Sequence, residues 1–396
     1  MMENVYSNFD GLDLSFHGVV PEGILDALEQ AKGAAVEARE PVPTDLGGVT
    51  VMVRETGRRG GYKFVFDTGE DGEIWAMMGS NEPNGRWMMH CSVRSAAFVQ
   101  YGGLSAIKER LSERLKAFGF EATRCPKSGR FESVSRVDFA MDFHMNDFVL
   151  EPEKFSTKAG TQSHFEGVSA NWAGRICTGV TLGKMPNRQV CVYDKSREIQ
   201  VTRKSYWWQV WGIDPEECEE KPKIWRIELR AGKRFLSEAW KLHTLEDIED
   251  AIGDLMADTL RKVRYVDLVD TNVTRCPDAP LWERAALVIQ NGLWDHFSGL
   301  VPNAIKETVR EQFEMTMTQM LRGVALTYAA VKSGSRNLTE IKRQIEAAAE
   351  DVLRSIDIDH DDCKRAVARA QDRYRFLEVE AWQKKRKQPC PEWLSA

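Results

Sequence analysis

The sequence predicts an α+β fold: an antiparallel sheet with helices on one face, followed by a mostly helical C-terminal region. Three observations lead there. The segments "SVSRVDFAMDF" (133–143) and "IWRIELR" (224–230) alternate between apolar and polar, mostly charged residues, the period of a strand with one buried face. Between residues 49 and 94 several short β-like runs are separated by glycine-rich turns. From about Thr244 the apolar spacing turns helical and stays so to the end.

Taken in order, "GLDLSFHGVV" alternates as a strand, and Pro21–Ala38 has the pattern of an amphipathic helix. "REPVPTDLGG" is expected to be a proline and glycine loop. A meander follows, with strands at Val49–Glu55, Tyr62–Asp67 and Glu73–Met78 joined by the turns "GRRGG" and "TGEDG", and a fourth run at Arg86–Arg94. Leu104, Ile107, Leu111, Leu115 and Phe118 recur at helical spacing and should pack on the sheet. After the two alternating strands come candidate helices at Leu245–Val263, Leu281–Trp294, Ile305–Val331, Leu338–Ile356 and Asp361–Lys387. "KSGSRN" and "SIDIDHDD" interrupt them, and Asn337 is placed to cap one. The expected division is an acidic strand-helix segment (1–45), a catalytic domain (46–243) and a helical domain (244–396).

The chain is 42% hydrophobic and 29% charged, which supplies a core and excludes a disordered polyelectrolyte. No stretch has the length and apolarity of a membrane span, the first residues show no basic region followed by an apolar run, and no cysteines form a CxxC pair. A cytoplasmic protein with reduced thiols and no membrane partner is expected. The net charge of -6 hides an uneven distribution. Residues 1–50 hold nine acids and two bases, whereas Lys184–Lys204 has six cations against two carboxylates and Lys221–Arg234 has six against one. Local clusters set a binding field. Lys184, Arg188, Arg197, Arg203, Lys204 and Arg230 are therefore the expected contacts to a polyanion.

"NRQVCVYDKSREIQ" holds a short strand, Gln189–Tyr193, that ends in a burst of charge. If this strand neighbours the two alternating ones, Asp138, Asp142, Tyr193 and Glu228 project from one face. Three carboxylates suit a hard divalent ion, Mg²⁺ or Mn²⁺. A tyrosine beside such an ion and several cations is suited to phosphodiester transesterification, with Lys195 favouring the phenolate.

"SRVDFAMDF", then "GVTLGKMPNRQVCVYDKSRE", then "IWRIELR" resemble the successive motifs of the Rep_trans rolling-circle replication initiators of plasmids and phages, a family related to mobile-element relaxases. The resemblance covers roughly Leu12 to Trp240. It implies a sheet related to the HUH endonucleases, with Tyr193 as the nucleophile that nicks origin DNA, keeps the 5′ phosphate and frees a 3′ hydroxyl. It implies Asp138, Asp142 and Glu228 at the metal-associated positions and Lys195 and Arg226 as catalytic cations. The implied partners are single-stranded origin DNA, or the cruciform or supercoiled duplex, together with host helicase and polymerase. The C-terminal helices are assigned to sequence recognition or to closing on a second subunit as a homodimer.

Three other readings share these residues: a mobile-element relaxase, a non-catalytic DNA-binding replication regulator, and an RNA binder stacking bases on Tyr206, Trp207, Trp208 and Trp211. His90 and His144 stand singly and are assigned no metal, and "DIDHDD" lacks the glycine and the final glutamate of a calcium loop.

Overall fold

The computed structural model describes residues 3–81, 85–157, 168–291, 304–334 and 336–374. These divide into two compact units, Met1–Pro302 and Asn303–Ala396.

The first unit opens with β1 (Glu3–Phe16), β2 (Gly18–Val19), α1 (Glu22–Ala38), β3 (Val42–Leu46), β4 (Val49–Val53), β5 (Tyr62–Asp67), β6 (Glu73–Met78) and β7 (Met89–Val93). Next come α2 (Ser95–Tyr101), α3 (Leu104–Ala117), β8 (Glu121–Ala122), β9 (Glu132–His144), β10 (Phe155–Thr157), β11 (Val168–Ala173), β12 (Ile176–Lys184) and β13 (Arg188–Asp194). It closes with α4 (Lys195–Thr202), α5 (Tyr206–Trp211), β14 (Ile224–Gly232), α6 (Leu245–Lys262), β15 (Val263–Tyr265) and α7 (Pro280–Gln290).

Eleven strands form one antiparallel sheet in the order β11-β12-β13-β14-β9-β1-β7-β6-β5-β4-β3. The long β1 joins the two halves, pairing with β9 on one side and β7 on the other. The alternation in the sequence becomes two chemically different faces. Phe9, Leu12 and Leu14 of β1, Val137, Phe139 and Met141 of β9, and Ile227 and Leu229 of β14 lie in one apolar core. Leu25 and Leu28 of α1, Ile107 and Leu111 of α3, and Ile248, Ile252 and Leu255 of α6 close that core. Removing this apolar area from water is the main stabilising term, about 25 cal/mol per Å². The antiparallel sheet with its large helices packed on the apolar face matches the expected fold class.

One segment differs from expectation. Val42–Leu46, within the expected loop, is strand β3. It tolerates Pro43 because it is the outermost strand of the sheet, where one row of backbone groups has no strand to pair with. The domain boundaries expected near residues 45 and 243 both fall inside the first unit. The first would cut β1 and α1 away from the strands they pack on, and the second would remove α6, whose capping box at Thr244 and Asp247 starts a helix that fills the core.

The second unit is α8 (Ala304–Ser333), α9 (Leu338–Ile358) and α10 (His360–Arg373). Asn337 caps α9, accepting from the Thr339 N–H at 2.9 Å. The expected helix ends at Trp294 and Lys387 lie outside the described residues. Among the described residues no helix is long and apolar enough to cross a membrane.

Candidate active site

The register of β13, β14 and β9 brings the polar residues of three distant segments together. Tyr193 stands opposite Arg226, and Arg226 opposite Asp142. Cys191 stands opposite Glu228, and Arg230 opposite Asp138. The adjacency expected for Asp138, Asp142, Tyr193 and Glu228 is present, because all four have the parity that points away from the apolar core.

Tyr193 donates its phenol proton to Glu228 Oε2 at 3.0 Å. Burial raises the phenol well above its ordinary pKa; Arg226 opposes this, while Glu228, Asp10 and Asp142 add to it. The resting side chain is thus a neutral phenol with an acceptor already on its proton. Glu228 also accepts from Arg230, Nε at 2.7 Å and Nη2 at 3.2 Å.

Arg226 is fully buried and splits its donors between two acids. It holds Asp142 through Nε at 2.6 Å and Nη2 at 2.8 Å, and Asp10 through Nη1 at 2.6 Å. Trp211 Nε1 gives Asp142 a third hydrogen bond at 2.8 Å. The Trp207 ring covers the guanidinium at 4.5 Å and Lys195 Nζ at 4.9 Å. Helix α5 therefore roofs this end of the polar face. Tyr206, Trp207 and Trp211 are buried in making the roof, which removes them as base-stacking platforms.

At the other end the face is more open. Arg136 chelates Asp138, with Nε at 2.9 Å from Oδ1 and Nη2 at 2.7 Å from Oδ2. Burial pushes the Asp138 carboxyl up to about 7; Arg136 pulls against it, and Glu228 and Asp10 push with it. Asp10 behaves oppositely: burial would raise it, but Arg226 and then Lys195 hold it at about 2. The side chains of Arg136 and Arg230 remain 38% and 33% exposed.

The charges behind Tyr193 have separate tasks. Asp194 is the N-cap of α4, accepting from the Arg197 N–H at 2.9 Å. Lys195 is buried and paired with Glu198 at 2.6 Å, its Nζ lying over the Tyr193 ring at 5.9 Å from the centroid. Burial and Arg226 lower its pKa, with Asp10 and Glu198 opposing.

Of the expected polyanion contacts, Lys184, Arg197, Arg203 and Lys204 are exposed. Arg188 is directed elsewhere. Its parity is that of Val190 and Val192, and it reaches Asp258 at 3.6 Å and the Phe235 ring at 4.9 Å. It ties β13 to α6 rather than facing the site.

The metal expectation meets a donor set that is already engaged. Both oxygens of Asp142 are used by Arg226 and Trp211, and Asp138 and Glu228 are each chelated by an arginine. Among the described residues no group of three or more histidines, cysteines or acids is arranged to hold an ion. As arranged, these residues do not fit Mg²⁺ or Mn²⁺.

Sequence reasoning missed Asp10 and Tyr6, and singled out the α5 tryptophans only as base-stacking candidates. Asp10 reaches the site through a register shift between Phe9 and Gly11 of β1. An aspartate-glycine pair inside a strand pattern is the available signal for such a bulge. A Cβ on Gly11 would crowd Asp138 Oδ2 at 3.0 Å, so glycine leaves room for that carboxylate. Nothing local says what the others meet: strand register places Tyr6 beside Asp142, and packing of α5 places Trp211 there.

No protein-family model and no curated protein matches the chain. Among solved structures, a rolling circle replication initiator protein from Geobacillus stearothermophilus is similar at 14% identity and a TM-score of 0.38, over 74% of this chain and 97% of that one. A likeness that remote fixes neither chemistry nor residue roles.

Proposed function

We propose that the protein is a site-specific DNA nicking and closing enzyme that initiates rolling-circle replication of a plasmid or phage. The observation that carries this reading is the Tyr193 hydroxyl hydrogen-bonded to Glu228 at 3.0 Å on a face bearing Arg136 and Arg230. Tyr193 Oη attacks the phosphorus of one DNA strand as its proton passes to Glu228. The bond from phosphorus to the 3′ oxygen breaks, and the leaving oxygen takes up a proton. The products are a 5′-phosphotyrosine ester and a 3′ hydroxyl that a host polymerase can extend while a helicase opens the duplex. Because the ester conserves the number of phosphodiester bonds, attack by a 3′ hydroxyl reverses the step and closes the strand. On the face that bears Tyr193, Arg136 and Arg230 are the part-exposed cations placed to neutralise the phosphate. Arg226 and Lys195, both buried, act by holding the ring and strand end of Tyr193 rather than by touching DNA. The same chemistry would serve a mobile-element relaxase.

The test is incubation with supercoiled plasmid carrying the DNA that flanks the protein's own gene. Nicked product bearing covalently attached protein is expected, with the adduct on Tyr193. A second reading, a DNA-binding replication regulator without catalysis, is favoured by the raised phenol and the buried Arg226. It predicts that the same plasmid is bound and stays uncut.

A further inference from the structure

The turn 57–61, "GRRGG", reaches back over the same polar face from the other half of the sheet. Gly60 and Gly61 have φ of 100° and 90°, which side-chain-bearing residues rarely adopt, and a Cβ on Gly57 would meet the Tyr62 carbonyl oxygen at 2.6 Å. The turn is thereby folded so that the Arg58 N–H bonds Tyr62 O at 3.0 Å and Arg58 Nη1 lies 3.3 Å from Ser92 Oγ on β7. Register continues the line toward the candidate site: Ser92 is opposite Asp13, and Asp13 is opposite Arg136. At about 4.8 Å between strands, β7 lies about 10 Å from β9 and about 19 Å from β13.

Beneath Arg58, His90 bonds Ser15 at 3.1 Å and is held neutral, its pKa lowered to about 4 by burial and Arg58 against the pull of Asp13. The half-buried Tyr62 ring stands 6.0 Å from the His90 ring. Arg86 comes within 3.4 Å of the position a Cβ on Gly61 would take. Arg58, Arg59 and Arg86 are exposed, and among the described residues none is in an ion pair. That separates them from Arg136 and Arg230, which must give up a carboxylate to take a phosphate.

We infer that Arg58, Arg59 and Arg86, with Tyr62 as a stacking platform, form a second binding site for single-stranded DNA, several nucleotides from the strand held at Tyr193. Unpaired guanidinium groups beside an aromatic ring fit a phosphate backbone with an unstacked base. This rests on the proposed DNA chemistry and extends it across the sheet. A strand crossing β13, β14, β9, β1 and β7 would meet Arg230, Arg136 and then Arg58.

The test uses the full chain carrying Tyr193→Phe and a labelled oligothymidylate of about twenty nucleotides, long enough to span one such surface. Combining Arg58→Ala, Arg59→Ala and Arg86→Ala should flatten the slope of log affinity against log salt by about 2, at about 0.7 per lost phosphate contact. Tyr62→Ala should weaken binding about tenfold or more, with Tyr62→Phe retaining it. An unchanged slope and affinity in the folded triple variant, verified by circular dichroism, would overturn the inference. So would tighter binding of oligouridylate than of oligothymidylate. Covalent adduct formation, measured separately with Tyr193 restored, keeps the two ideas apart. Lost binding in the variants with no adduct in the parent would sink the nicking reading alone. An adduct with an unchanged salt slope would sink the second site alone.

Discussion

Asp142 and Arg226 form a closed pair: Arg226 donates to Asp142 from Nε at 2.6 Å and from Nη2 at 2.8 Å, and neither side chain reaches solvent. Asp142→Ala would leave a buried guanidinium with Asp10 as its remaining carboxylate. Breaking a buried pair by removing one partner costs about 3–5 kcal/mol. Urea unfolding of Asp142→Ala should show a loss of that size, along with any loss of activity. Near-normal stability in that variant would show that the pair is not an anchor of the sheet.

Tyr193→Phe removes a single hydrogen bond to a carboxylate, about 1.5–3 kcal/mol at most, and Glu228 keeps Arg230. The variant should fold and bind single-stranded DNA at near wild-type strength, yet form no covalent adduct. Peptide mass spectrometry of the wild-type adduct checks the assignment. An adduct on Tyr6 or Tyr206 would move the nucleophile.

Asp138 gives a pH signature. Its pKa rises from 3.8 to about 7 on folding, through burial reinforced by Glu228 and Asp10. Between those values the unfolded chain has lost the proton that the folded protein keeps, so stability falls as pH rises from about 4 to about 7. Asp138→Asn removes this dependence. The melting temperature of wild type minus that of Asp138→Asn should decline across that window; His90 titrates in both proteins and cancels. A flat difference would mean that Arg136 keeps Asp138 ionised throughout.

The exposed and the engaged cations should separate by experiment. Arg203→Glu with Lys204→Glu should weaken binding to any single strand and reduce its salt dependence. Arg188→Ala should leave binding unchanged and instead lower stability, since it detaches β13 from Asp258 and Phe235 on the α6 side. Equal loss of DNA affinity in both would contradict the placement of Arg188 on the covered face.

Metal binding can be read without catalysis. In the free protein Arg136 and Arg230 compete for Asp138 and Glu228. Mn²⁺ titration followed by electron paramagnetic resonance should therefore show weak binding that tightens in the Arg136→Ala, Arg230→Ala double variant. Tight binding to wild type would show that an ion displaces the arginines.

Much of the first unit was legible from periodicity. The runs at Tyr62–Asp67 and Glu73–Met78 are strands with those limits, and the helix beginning at Leu104 ends one residue before Phe118. These segments announce themselves because each buries one face, which imposes period 2 or 3.6 on its apolar residues. Val42–Leu46 did not, since an edge strand can carry proline and need not alternate.

The sequence by itself determined which residues share a face: alternation around Val137, Phe139, Ile227 and Leu229 turns Asp138, Asp142, Glu228 and Arg230 the other way. It also placed Tyr193 near the end of a strand, which the structure runs from Arg188 to Asp194. Only the tertiary structure decided what those residues meet. Glu228 accepts a hydrogen bond from Tyr193, Asp142 is consumed by Arg226 and Trp211, and Arg188 turns to α6. The reason is physical. Facing direction follows from backbone geometry within one strand, whereas hydrogen-bond partners depend on strand order and on a helix laid across the face, neither of which is encoded within any one segment.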